Sequence, residues 1–470
     1  MKQKNVIKKI CGQILCLILI SLLFCGNLYA QDKKQKKFPP SRPDIKNKNQ
    51  TCAACGDEEK ILLKDAITIA LGQPQIKVAQ SAFKAANFDI TAAKSKRLPS
   101  VDIYSDAGYQ AADNFYTRNN AGLSYNSEQR VSDIRNGFQI KLTQPLFDGY
   151  NAKYNINAQS NNAKALKYEL IHLKEQTAFN AARAYISLIF VNKAYTLATR
   201  NILKYREILD RVKKLYKAGK IEESYFFEML ELYDSISDKK ASISSECRKA
   251  DVEYKFAVGM LSPTSSSLLK EPKEPSLCPD TKMKVYNLLI ANNPLLLACK
   301  AYEKAAVEKA KAANASFMPN INLELAKTWL KNVDGSETNE DNEFALITLN
   351  YNLFNGGADT ALKKKAKELK KKARYQKERL ISIIEKKANR FFVDILASLR
   401  NIKTLTILQE IQIKLIRSYQ KKDTYIDMMK AEDRLLETNL ALLTAKENYL
   451  ITQYEILAEG GVLLKSFNLN

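Results

Sequence analysis

Apolar and polar residues alternate in four short stretches: VDIYSDAGY from Val101, FQIKLTQPLF from Phe138, INLELAKTW from Ile321 and ALITLNYNLF from Ala345. In the second, Phe138, Ile140, Leu142 and Leu146 share one face, and Gln139, Lys141 and Thr143 the other. The third places Ile321, Leu323, Leu325 and Trp329 together, and the fourth sets Ile347, Leu349, Tyr351 and Leu353 against Leu346, Thr348, Asn350 and Asn352. The first is less regular, with Val101, Ile103, Ala107 and Tyr109 on its apolar side. A period of two over such lengths predicts strands.

The remainder reads as helix. Residues 62–97 and 284–317 are rich in Ala, Lys and Leu and stop before Pro99 and Pro319. Residues 152–218 and 358–420 contain no proline, and 222–258 and 425–459 complete the set. A helix over 152–218 spans about 100 Å and one over 358–420 about 95 Å. The flanking helices are about half as long, so two stacked end to end match one long helix in a tall, even-walled bundle. In the last, Leu435, Leu442, Tyr449 and Ile456 recur every seven residues beside Leu436, Leu443, Leu450 and Leu457. This doubled seven-residue stripe predicts coiled-coil contacts on two sides.

The order repeats: helix, Pro, strand, loop, strand, Leu-Phe-(Asp/Asn)-Gly, helix. Pro99 to Leu146 is 47 residues and Pro319 to Leu353 is 34, so the first hairpin carries 13 more. The expected organisation is a signal (1–30), a polar extension (31–61), a first repeat (62–260), a linker (261–283), a second repeat (284–459) and a C-terminal tail (460–470). Strands of about 11 residues, apolar on one face and wet on the other, suit a membrane β-barrel. Phe147 with Gly149 and Phe354 with Gly356 then mark interfacial turns, where an aromatic ends the strand and Gly lets the chain enter the helix. Residues 110–136 and 330–342 are expected as external loops. Four strands cannot close a barrel and open edges fail in hydrocarbon, so closure requires association; three chains supply twelve strands.

The first 30 residues, with Lys2, Lys4, Lys8 and Lys9 before an apolar run over 14–23, read as an export signal cut after Ala30. Acylation at Cys25 is the alternative. Removal of four positive charges from +23 leaves 23 − 4 = +19. Such a charge in the cytosol points to nucleic acid; export argues against that partner and for a lysine-rich solvated surface. Its densest part is KKKAKELKKKARYQK (363–377), nine basic residues and one acid. Of eight cysteines, Cys11, Cys16 and Cys25 lie in the signal. Cys52-Ala-Ala-Cys55 reads as linker or as a small disulfide, and His172 is the sole histidine, so no zinc set assembles. No cofactor motif, nucleophile elbow or phosphate loop is present, which leaves catalysis without support.

With LYKAG (215–219) and YIDMMKAEDRLL (425–436), the duplicated pattern resembles the TolC family of outer-membrane efflux ducts over nearly all of residues 60–460. The resemblance implies a mainly α fold with membrane hairpins: a trimeric, twelve-stranded β-barrel continuous with an α-helical coiled-coil barrel across the periplasm. It implies a homotrimer held in outer-membrane lipid and joined to a periplasmic adaptor (membrane fusion protein) and an inner-membrane pump or ABC transporter, for efflux or type I secretion. The family's periplasmic gate maps onto Asp427 and Tyr419, with Lys430 where a second aspartate belongs; Glu228 and Glu231 have the gate spacing in the first repeat. An ordinary solvated residue near a helix start is the other reading of Asp427. A structural or adhesive envelope coiled coil is the alternative function, and it leaves the amphipathic hairpins unexplained.

Overall fold

The computed structural model describes residues 61–120, 130–263, 269–275, 281–333, 339–420 and 425–469. The expected signal, Cys52 and Cys55 therefore lie outside the described residues.

The first repeat comprises α1 (Leu63–Ala70), α2 (Pro74–Ser95), β1 (Ser100–Ala112), a short α3 (Phe115–Asn120), β2 (Val131–Phe147), α4 (Asn151–Lys217) and α5 (Glu223–Val258). The second comprises α6 (Lys282–Asn292), α7 (Pro294–Ala312), β3 (Asn320–Lys331), β4 (Asn339–Asn350), α8 (Ala358–Gln420) and α9 (Tyr425–Glu459), with α10 (Leu463–Ser466) after it. Helices α4 and α8 have 67 and 63 residues, matching the expected runs. No helix among the described residues is long and apolar enough to cross a membrane.

The two helices expected as continuous over 62–97 and 284–317 are each broken. Pro74 and Pro294 are the first residues of α2 and α7, where a missing N–H costs nothing. Both breaks are tied in the same way. The Gln73 side-chain amide donates to the Ala257 carbonyl at 2.8 Å, and that of Asn293 donates to the Glu459 carbonyl at 2.8 Å. Each repeat thus uses the residue before its proline to satisfy a carbonyl that the end of its own last helix leaves open.

The sheet has the order β1-β2-β3-β4, antiparallel throughout. Its strands, of 13, 17, 12 and 12 residues, exceed the expected length and take in parts of both expected loops. The connections that remain are 113–130 and 332–338. Residues 121–129 and 334–338 lie outside the description. Register places Ile103 beside Ile140, Leu142 beside Leu325, and Leu323 beside Ile347 on one face. On the other, Lys141 pairs with Glu324 at 2.7 Å and the Gln139 amide donates to Thr328 at 3.0 Å. From Ile321 to Trp329 the apolar band runs about 27 Å along its strand. Phe138 and Trp329, 5.5 Å apart, mark its far end. β1 and β4 each keep one unpaired edge.

Both stripes of α9 are covered. Leu436, Leu442, Leu450, Ile456 and Leu457 are buried, and Leu435, Leu443 and Tyr449 are half-buried, because α9 packs against both α4 and α8. The main core gathers Ala66 and Ile67 of α1, Ala181 to Phe190 of α4, Tyr254 of α5 and Leu457 of α9. The linker crosses it: Leu269 bridges to Ile61, and the Tyr185 hydroxyl meets the carbonyls of Ile61 and Lys270 at 2.8 and 2.7 Å. Residues expected as a tail fold back here, burying Leu463 and Leu464. His172 sits in the wall, its pKa lowered by burial. Among the described residues no cluster of three His, Cys, Asp or Glu could hold a metal.

Candidate functional site

Each end of the helical wall carries a set of candidate residues. At the end away from the sheet, α4 passes through Gly219 (φ +70°) into α5, and α8 is followed by α9. Residues 421–424 of that second turn lie outside the description. Tyr205, Val212, Met229, Ile236 and Met429 form a separate buried cluster joining the two turns. Tyr205 is fully buried and its hydroxyl donates to the Met429 carbonyl at 2.5 Å. Burial pushes its pKa well above the ordinary phenol range. The Ile426 N–H donates to the Tyr225 hydroxyl at 3.2 Å.

The candidate gate residues sit on and around this plug. Asp427 is exposed in the first turn of α9, where the helix dipole favours a carboxylate. Lys430, one turn on, is engaged by Glu228 of α5 at 2.5 Å, both side chains remaining about 44% exposed. Glu231 is exposed and Tyr419 half-buried near the end of α8. The structure therefore brings Glu228, Lys430 and Asp427 to one end of the wall, with the lysine bridging the two repeats. Further up the same helix pair, Lys239 of α5 holds Asp433 and Glu437 at 2.8 and 2.7 Å. The sequence pattern did not single out Tyr205, Tyr225 or Lys239; their partners lie roughly 200 residues away.

At the sheet end the two interfacial turns differ. Leu146 and Phe147 close β2, and Phe147 meets Tyr150 edge to face at 5.4 Å. Gly149 (φ +65°) leaves no room for a side chain: a Cβ there would lie 2.8 Å from the Cβ of Met318. Leu353 and Phe354 instead fall beyond the end of β4, 83% exposed, and a Cβ on Gly356 (φ +56°) would meet open space. The expectation that both Leu-Phe pairs end strands is thus corrected for the second. β3 runs beside β2 as far as Phe147, opposite Ile321, whereas it begins opposite Asn350 and offers β4 no partner beyond that residue.

A four-stranded amphipathic sheet with open edges, standing on helices about 100 Å long, defines a class: a subunit of an outer-membrane duct that reaches into the periplasm. The known proteins agree. The family model described as outer membrane efflux protein matches residues 68–225 and 285–458, and the chain belongs to that family. It is similar to the outer membrane efflux protein BepC of Brucella suis, at 21% identity over 68% of this chain and 71% of the relative. Among solved structures it resembles the outer-membrane channel OprN (TM-score 0.72, 17% identity, 85% and 89% of the two chains). It also resembles the outer membrane protein VceC of Vibrio cholerae (TM-score 0.71, 14% identity, 87% and 96%). The protein is an outer-membrane efflux channel of the TolC type, not an enzyme, with the mainly α fold and barrel-forming hairpins expected.

Proposed function

We propose that three copies of this chain close a twelve-stranded barrel and serve as the passive exit duct of a tripartite machine. A periplasmic adaptor docks the duct to an inner-membrane pump or ABC transporter that supplies the energy. The open edges of β1 and β4 carry this reading, because unpaired backbone N–H and C=O groups are not tolerated in hydrocarbon. Pairing each β1 with the β4 of a neighbour satisfies them. The long helices below then form a wall about 100 Å deep, a reach suited to meeting a periplasmic partner.

In this reading the end bearing Asp427, Lys430, Glu228, Glu231 and Tyr419 is the periplasmic gate. The buried Tyr205–Met429 contact sets the position of α9, and the Glu228–Lys430 pair ties the two repeats together. Purified protein should run as a heat-sensitive trimer and conduct in a planar bilayer. Crosslinkers in cells should trap an adaptor on the helical wall. A trimer without conductance supports a structural envelope coiled coil instead, and conductance without a trapped adaptor removes the tripartite assignment alone.

A further inference from the structure

A cavity of about 450 Å³ opens where the first repeat passes from sheet to helices, lined among others by Lys96, Arg97, Phe147, Asp148, Tyr150 and Lys153. The strand geometry makes it. β1 begins at Ser100, opposite Thr143, so β2 continues from Gln144 to Phe147 with no β1 partner. Pro145 offers no N–H, and the register with β3 slips between Pro145 and Phe147. The Gln144 amide donates to the Arg97 carbonyl at 3.1 Å, tying the end of α2 across the gap. The cavity is left between the end of α2, the freed end of β2 and the start of α4.

Its chemistry is one-sided. Lys96, Arg97 and Lys153 form no salt bridge with any described residue. The one acid, Asp148, is committed to the start of α4, accepting the Ala152 N–H at 2.6 Å. Tyr150 is held in the left-handed region at φ +64°, where a non-glycine residue is uncommon. Its ring stands against Phe147, with the Lys153 Nζ 5.8 Å above it. Three cations thus line the cavity with two aromatics; Lys153, over the Tyr150 ring, also lies within the field of Glu308. The site lies at the helix end of the apolar band, which in the barrel proposed above is the level at which inner-leaflet headgroups meet the periplasm.

We propose that this cavity binds the headgroup of an anionic glycerophospholipid from the inner leaflet of the outer membrane. The phosphodiester lies among Lys96, Arg97 and Lys153, and the glycerol and first methylenes lie against Phe147 and Tyr150. A free phosphate has no use for the aromatic wall, which favours the lipid. Polybasic segments beside a membrane attract such lipids in general; here the aromatics and the gap in the sheet add a shaped pocket.

The test uses the intact purified channel, stripped of lipid and titrated with phosphatidylglycerol or phosphatidylcholine under native mass spectrometry. Lys96→Gln/Arg97→Gln/Lys153→Gln should weaken phosphatidylglycerol binding about 100-fold, roughly fivefold for each cation removed. Lys96→Arg/Arg97→Lys/Lys153→Arg should retain it, as should Lys213→Gln/Lys214→Gln/Lys217→Gln at the far end of α4. Unchanged binding by the first variant overturns the proposal, and so does an equal loss in the far-end variant. Equal affinity of the native channel for phosphatidylcholine, or displacement of the lipid by inorganic phosphate at matched concentration, overturns it as well.

Discussion

Glu175 should make the docking of the C-terminal segment sensitive to pH. It lies in α4, is 2% exposed, and accepts the Leu464 N–H at 3.3 Å, where the chain turns into α10. Burial pushes its pKa up to about 7 from 4.5; the amides of Leu464 and Leu463 and the charge of Lys465 oppose that only in part. The carboxyl therefore binds a proton more tightly when the segment is docked than when it is released. Its penalty is absent below about pH 4.5, grows between about 4.5 and 7, and is complete above 7. A shift of this size corresponds to about 3 kcal/mol, or roughly two orders of magnitude in the local opening equilibrium. Amide hydrogen exchange of residues 463–469, corrected for intrinsic rates, should show protection falling by about that factor from pH 5 to pH 8. Glu175→Gln keeps an acceptor without the charge and should hold protection flat and high. Glu175→Ala leaves the Leu464 amide without its partner and should cost about 1–3 kcal/mol relative to Glu175→Gln at every pH. If native protection stays constant or rises with pH, the hydrogen bonds outweigh burial and the reasoning is wrong.

Gly149→Ala should reduce the yield of folded channel, its Cβ meeting Met318 as well as incurring about 1 kcal/mol for the left-handed backbone. Gly356→Ala should show the backbone cost alone, and equal yields of the two would refute the distinction. Tyr205→Phe removes the hydroxyl bond to the Met429 carbonyl, which keeps its own helical partner, costing about 0.5–1.5 kcal/mol; single-channel recordings should show a looser tip with larger conductance. Lys430→Asp replaces the partner of Glu228 with a like charge and should raise cation preference and trivalent block, while Asp427→Asn lowers them; no change in either excludes both from the constriction. Replacing Lys364, Lys365, Lys367 and Lys370, exposed on α8, with Gln should leave ion selectivity unchanged if that face looks away from the lumen; a large shift would place it inside.

Much of the architecture was legible because it rests on local periodicity. The start of α4 at Asn151 and the strand faces around Ile140 and Leu325 follow from one stretch of chain at a time. The breaks at Gln73 and Asn293 carry local signals, Gly72 with Pro74 and Asn292-Asn293 with Pro294, that the Ala- and Lys-rich surroundings outweighed. Their capping amides find carbonyls 184 and 166 residues away. The same distance hid the partner of Lys430, so its place in the chain could be read and its pairing with Glu228 could not. Leu353-Phe354 misled for another reason: the motif matches Leu146-Phe147, but whether the strand continues through it depends on where β3 begins, which leaves Phe147 a partner and residues past Asn350 none.

The open edges of β1 and β4 also bear on how the channel is made. A sheet that satisfies its backbone only when closed cannot wait in the bilayer as a single chain, so insertion and association have to be one event. For the proposed trimer, assembly is then of high kinetic order, and a modest fall in synthesis should reduce the number of channels more than proportionately. One copy defective at an edge strand spoils the ring it enters. If half the chains in a cell are of that kind, roughly one assembly in eight is built wholly from sound copies. Lesions in β1 or β4 should therefore behave as dominant, whereas a chain that never reaches the membrane should be recessive.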